Sequence, residues 1–165
     1  MLDPVPAWLP SHHKLKKLAS SDKHHLTDPA LAARLLNLTA RGLTAGSNSE
    51  PSIPRNGTLL GALFESLVAL HLRVYAQAAA ADVRHMRTQR GEHEVDFIIS
   101  GTDHGIVAIE VKLSATVEAA DVKHLTWLRD RIGDQLLDAV LITTGTEAYR
   151  RHDGIAVVPA TLLGP

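Results

Sequence analysis

Near Ala81 the spacing of apolar residues changes from helical to alternating, and any fold open to this chain must accommodate that switch. Before it, Leu59, Leu60, Leu63, Phe64, Leu67, Val68 and Leu70 cover most of the circumference of a helix expected over about 58–80. Such a helix should be buried on more than one side. After it, residues 83–89, 94–99 and 106–113 read as three strands, parted by turns at Arg90-Gly91-Glu92-His93 and at 101–105. Short turns between consecutive strands imply an antiparallel meander. A helix over about 117–131 follows, with Val122, Leu125, Leu128 and Ile132 facing inward, and then strands at 137–143 and 155–158. A strand reached through a helical crossover joins its sheet in parallel. The expected class is therefore α/β, one mixed sheet flanked by helices.

The first 56 residues are expected to form an N-terminal extension, with the main domain over 57–165. Up to about Asp22, Pro4, Pro6 and Pro10 and the Lys14, Lys16, Lys17 cluster point to an extended, loosely packed stretch with Trp8 and Leu9 docked on the body. Nothing there nucleates an element, and it reads like the middle of something longer. Thr27-Asp28-Pro29 is a helix start, because Asp28 can cap free amides and Pro29 fits the first helical position. Leu31, Leu35 and Leu38 follow at helical spacing, with Leu36 beside them. From Arg41 to Gly57 the chain is rich in Gly, Ser, Asn and Pro, a loop of about 15 residues.

Composition excludes several classes of function. Without cysteine there is no disulfide framework, thiolate zinc site or cysteine nucleophile, which fits a cytoplasmic protein. The opening MLDPVPAWLP lacks the basic start and apolar core of a signal peptide. The apolar run at 58–74 is interrupted by Glu65, His71 and Arg73, so no membrane span is expected. With 17 basic and 18 acidic side chains, nothing steers the whole molecule toward nucleic acid, and DNA would have to be met by a local patch. His12/His13 and His24/His25 lie in polar segments without metal-ligand spacing and read as solvated or locally bonded.

The charged residues of the meander sit where a plain solvated face would not need them. Alternation groups Glu94 and Asp96 with Ile98, and Glu110 and Lys112 with Ile106 and Ala108. Half-buried carboxylates are costly unless paired or metal-bound, and two close carboxylates repel unless a cation lies between them. Oxygen ligands of this kind suit Mg²⁺ or Mn²⁺ at Asp96 and Glu110. Lys112 would then orient a metal-bound water or stabilise charge on a phosphate. The plainer alternative is a surface Glu110–Lys112 pair beside a solvated Asp96. Glu65, within the most apolar helix, also needs a partner: the same metal site, or Arg73, Arg84 or Arg87.

Glu65 on a helix, Asp96 on a later strand and Glu110-x-Lys112 on the next resemble the ordered signature of the PD-(D/E)XK nuclease superfamily. Gly61-Ala62-Leu63-Phe64-Glu65, Arg87-Thr88 with Gly91, Glu94-Val95-Asp96-Phe97-Ile98 and Ile109-Glu110-Val111-Lys112 resemble, more narrowly, the C-terminal domain of prokaryotic AAA+ ATPases of uncharacterised role. Val5-Pro6-Ala7-Trp8 and Leu26-Thr27-Asp28-Pro29-Ala30-Leu31 are similar to that domain's leading portion. The resemblance implies a restriction-endonuclease-like core that hydrolyses DNA, with Asp96 and Glu110 on the metal. Lys112 and Glu65 would be catalytic, and Arg87 and Lys123 are candidates for substrate phosphate. Arg87 could equally neutralise Glu94 or Glu65, and the plainer reading of Lys123 is a solvated helix residue; His124 stands beside it where many such nucleases carry Gln or Lys.

No G-x-x-x-x-G-K-[ST] motif is present, so this chain has no ATP site of that kind. Three functions follow: a metal-dependent DNA phosphodiesterase, a catalytically silent nucleic-acid- or partner-binding module, and a regulatory tail of a AAA+ ATPase. A homodimer is compatible with the first, since cutting both strands needs two sites.

Overall fold

A computed structural model of the chain describes residues 1–10, 18–44, 56–103 and 105–164. The switch of period is realised as helix α3 (Asn56–Ala78) followed by strands β3 (Asp82–Arg87), β4 (Glu94–Ser100) and β5 (Ile106–Val111). These three pair antiparallel as a meander. A 3₁₀ turn (Ala119–Val122) leads into helix α4 (Lys123–Ile132), which crosses over to β6 (Leu136–Thr143), parallel to β5. Beyond it, β8 (Ala156–Pro159) is parallel to β6, and the two-residue β7 (Tyr149–Arg150) closes the edge antiparallel to β8. The result is a mixed α/β fold whose six-stranded sheet runs β3-β4-β5-β6-β8-β7.

Each face of the sheet carries its own apolar core. On one, Leu125, Leu128 and Ile132 of α4 pack on Val95, Ile98, Ile106, Ala108 and Leu141. On the other, Val68, Ala69, Leu72 and Ala76 of α3 pack on Phe97, Ile109 and Ile142. Each fully buried aliphatic or aromatic side chain contributes roughly 1.5–3 kcal/mol relative to exposure. The burial of α3 is one-sided, a departure from the expectation of burial on more than one side, because Leu67, Leu70 and Val74 are exposed. By length and composition alone its Leu59–Ala78 stretch could cross a membrane. In the fold Arg73 pairs with Asp3 and Glu65 joins an ionic cluster, so the residues that interrupt the run are engaged with the rest of the chain.

Strict alternation fails in β4, and the failure shapes the site. Val95 pairs Met86 while Ile98 pairs Arg84, so two residues of β4 stand opposite the single His85. This is a β-bulge at Asp96-Phe97. Val95 consequently shares the α4-side core with Ile98 instead of lying with Phe97, as a period of two required.

The N-terminal stretch nucleates elements after all. Strand β1 (Leu2–Val5) pairs antiparallel with β2 (Lys23–Leu26). The chain after β1 runs along β3, with Trp8 N–H donating to the His85 carbonyl at 2.7 Å and His85 N–H to Pro6 at 3.0 Å. Val5 completes the α3-side core and Trp8 the α4-side core, whereas Leu9, expected to dock, is 57% exposed. Asp28 caps α1 (Pro29–Leu35) as expected, accepting from the Leu31 N–H at 2.8 Å. Leu31, Leu35 and Leu36 nonetheless remain exposed. Part of the expected loop is helical, α2 (Ala40–Thr44), and its 45–55 portion lies outside the described residues, as do His12 and His13.

Candidate metal centre

The bulge and the fork beyond it create the site. Antiparallel pairing of β4 with β5 ends at Phe97–Ile109, and β5 continues instead with β6, the Lys112 N–H donating to the Ile142 carbonyl at 2.8 Å. Where the strands part, Asp96 takes over: its Oδ2 accepts from the Val111 N–H at 3.0 Å. Alternation places Glu110 on the α4 side with Ala108, while Asp96 reaches toward α3, yet the two carboxyl groups hydrogen-bond each other across the fork.

Glu110 is only 3% exposed, and its Oε1 is buried without a hydrogen-bond partner. Burial, then the Asp96 charge and the hydrogen bond to it, push the Glu110 carboxyl up to about 10, so it holds its proton at neutral pH. Burial also works against ionisation of Asp96, but Lys23 and the Val111 N–H outweigh it and hold that carboxyl below its ordinary value. The pair therefore carries one proton and one charge near neutrality. The alternative of a surface Glu110–Lys112 pair beside a solvated Asp96 does not survive this burial.

A cation is already present, and it is one the sequence reading missed. The Lys23 Nζ, at the start of β2, lies 2.9 Å from Asp96 Oδ1, 2.7 Å from Glu65 Oε1 and 3.0 Å from Glu94 Oε1. Burial disfavours its charge, but Asp96 and Glu65 outweigh that and hold the ammonium well above its ordinary range. Glu65 thus finds its partner in Lys23, and not in Arg73, Arg84 or Arg87. Its carboxyl is raised, by burial first and the Asp96 charge second. No local pattern marks Lys23; the only signal was that three carboxylates on half-buried positions require a positive charge from somewhere.

Lys112 is half-buried, and its charge acts on both Glu110 and His124. His124, on the first turn of α4, places Nδ1 3.3 Å from Nδ1 of His93, whose ring stacks on Trp127 at 4.0 Å. The turn preceding β4 positions His93: Thr88 Oγ1 accepts from the His93 N–H, and Gly91 takes a left-handed φ of 68°. Burial, with Lys123, His93 and Lys112 nearby, lowers the His124 imidazole below its ordinary value. Lys123 itself is exposed. Arg87 neutralises neither Glu94 nor Glu65 by direct contact, its guanidinium donating to Ser21 Oγ at 3.2 Å. His25, expected to be solvated or locally bonded, is buried against Phe97 with ring centroids 5.2 Å apart.

Structure thus gathers Glu65, Asp96, Glu110 and Lys112 around one fork, adds Lys23, Glu94, His93 and His124, and leaves Lys123 outward. Among the described residues no three His, Asp or Glu side chains form a ready-made metal-ligand set. The donor chemistry still fits a hard divalent cation. The donors are carboxylate oxygens, one of them a buried acceptor without a partner, and the Glu110 proton is one that a cation would release.

A family model described as a domain of unknown function, DUF4143, matches residues 60–163, more than half of the chain. The chain belongs to the DUF4143 family. Domains of this family are commonly found at the C-terminus of AAA-type ATPases, which agrees with the narrower of the two resemblances. No curated protein matches the chain. The DUF4143 match runs from within α3 through the segment after β8, so Glu65, Asp96, Glu110, Lys112 and the His93–His124 pair fall within it, whereas Lys23 precedes it.

Proposed function

We propose that this DUF4143 chain has a restriction-endonuclease-like core of the PD-(D/E)XK type and is a Mg²⁺- or Mn²⁺-dependent phosphodiesterase acting on DNA. The observation that carries the reading is the Asp96–Glu110 carboxyl pair, in contact at the fork of the sheet with one buried oxygen unpartnered. Asp96 and Glu110 would hold the cation, Glu65 supporting the site from α3. A bound cation of this class would lower the pKa of a water and offset charge on a phosphoryl oxygen. Lys112, whose charge already acts on Glu110, would orient that water and stabilise the charge that develops on phosphate. The fork excludes solvent from Glu110, which strengthens each of these electrostatic effects. Arg87 at the end of β3 and Lys123 at the start of α4 are the candidate phosphate contacts; the near-zero net charge makes such local contacts necessary.

A second reading, a module that binds nucleic acid or a AAA+ partner without turnover, draws on one specific observation: Lys23 already compensates the carboxylates. Plasmid nicking separates the two. The nuclease reading expects Mn²⁺-dependent nicking that Lys112→Ala lowers by roughly 100-fold or more, in line with loss of a positioned electrostatic or proton-transfer group. Nicking that survives Lys112→Ala points to contamination or a different mechanism, and no nicking by protein that binds Mn²⁺ and DNA favours the silent module.

A further inference from the structure

Lys23 is more heavily engaged than an ordinary ion pair requires. A single carboxylate would neutralise its charge, yet its ammonium is held by Glu65 from α3 and by Glu94 and Asp96 from β4, all within 3.0 Å. Meanwhile both oxygens of Asp96 are spoken for, Oδ1 by Lys23 and Oδ2 by the Val111 N–H, with Glu110 hydrogen-bonded to the same carboxylate. A divalent cation at Asp96 and Glu110 would have to take an oxygen that Lys23 now holds, and would face an ammonium within a few ångströms. Like charges at that separation, shielded by a half-buried site, repel strongly.

We propose that Lys23 is a displaceable internal counter-ion that guards the metal position: a divalent cation binds only by driving the Lys23 ammonium off Asp96, so the site stays closed at low metal. This rests on the metal reading given above. The geometry makes the displacement feasible. Lys23 is the first residue of β2, paired with Val5 at one end of the hairpin, so its side chain can swing without breaking the rest of the ladder. Its side chain is 22% exposed, and Glu94, the most exposed of its three partners, offers the ammonium a place to go. Lysine is suited to such a role because its compact charge rides on a flexible stem.

Mn²⁺ titration of the full chain, followed by calorimetry and by melting temperature, tests this together with mass-spectrometric mapping of lysine acylation. Lys23→Met and Lys23→Gln should bind Mn²⁺ about tenfold more tightly or better, since the repelling charge is gone. In the unmodified protein Lys23 should be acylated slowly without metal and several-fold faster once Mn²⁺ is bound, an outcome that does not depend on either variant folding. If the unmodified protein binds Mn²⁺ but the variants bind it no more tightly and Lys23 acylation stays the same, the guard role is overturned and the metal reading stands. If folded protein and variants alike take up no Mn²⁺, the metal reading fails and this proposal fails with it.

Discussion

At the residue scale the chemistry turns on the proton of Glu110. The Glu110 carboxyl is raised from 4.5 to about 10 in the fold, so between those values the native state binds a proton that the unfolded chain releases. Its contribution to stability is therefore full below about pH 4.5 and is lost as pH rises toward 10. Glu110→Gln imitates the protonated form. Urea unfolding should find variant and parent nearly alike below about pH 5, and the variant more stable near about pH 8.5 by on the order of 5 kcal/mol. A variant equally or less stable at the higher pH would mean that Glu110 is ionised in the fold. The same proton couples to metal: Mn²⁺ affinity should climb about tenfold per pH unit across neutrality, because binding must release it. A pH-independent affinity in calorimetry would remove Glu110 from the ligand set. Asp96, Glu110 and Lys112 could be named from residue type and strand alternation, and Glu65 from its place in the most apolar helix; the ionisation states could not, because they follow from burial and from Lys23.

At the element scale the decisive feature is irregular. The bulge at Asp96-Phe97 directs Val95 and Ile98 to one core and Phe97 to the other, leaving Asp96 at the fork. A period of two was legible in the sequence, but nothing local announced the extra residue, which is imposed by pairing with Arg84 and Met86 across the sheet. The neighbouring turn was legible in outline, and its glycine has a definite task. Gly91 sits at φ 68°, where a side chain is strained. Gly91→Ala should cost about 1 kcal/mol and loosen the register that stacks His93 on Trp127. Chemical denaturation would give the first figure and a change in Trp127 fluorescence the second. Unchanged stability would show that the turn readily adopts another shape.

For the whole molecule, the N-terminal stretch is the main revision. Its sequence points to an extension with Trp8 docked on the body; Trp8 is buried as expected, but Val5 and His25 are buried with it, and Lys23 supplies the cation at the site. Its contacts are with β3 and α3, about 40 to 80 residues away along the chain, so no local pattern could reveal them. A chain starting at Asn56 would lose Val5 from one core and Trp8 from the other. Removing a single buried tryptophan costs about 3–5 kcal/mol, a large share of ordinary domain stability. The truncated chain should therefore lack a cooperative thermal transition in calorimetry. A sharp transition near that of the full chain would show that the N-terminal hairpin is only docked.

Apolar spacing along the chain, by itself, determined the helix, the meander, the crossover and which carboxylates were candidates, because those properties depend on neighbours a few residues apart. Tertiary structure decided the bulge that sets Asp96 at the fork, the proton on Glu110 and the choice of Lys23 as counter-charge. Each of these depends on what a distant segment places against a half-buried group, and the balance of desolvation and charge there has no counterpart in local spacing.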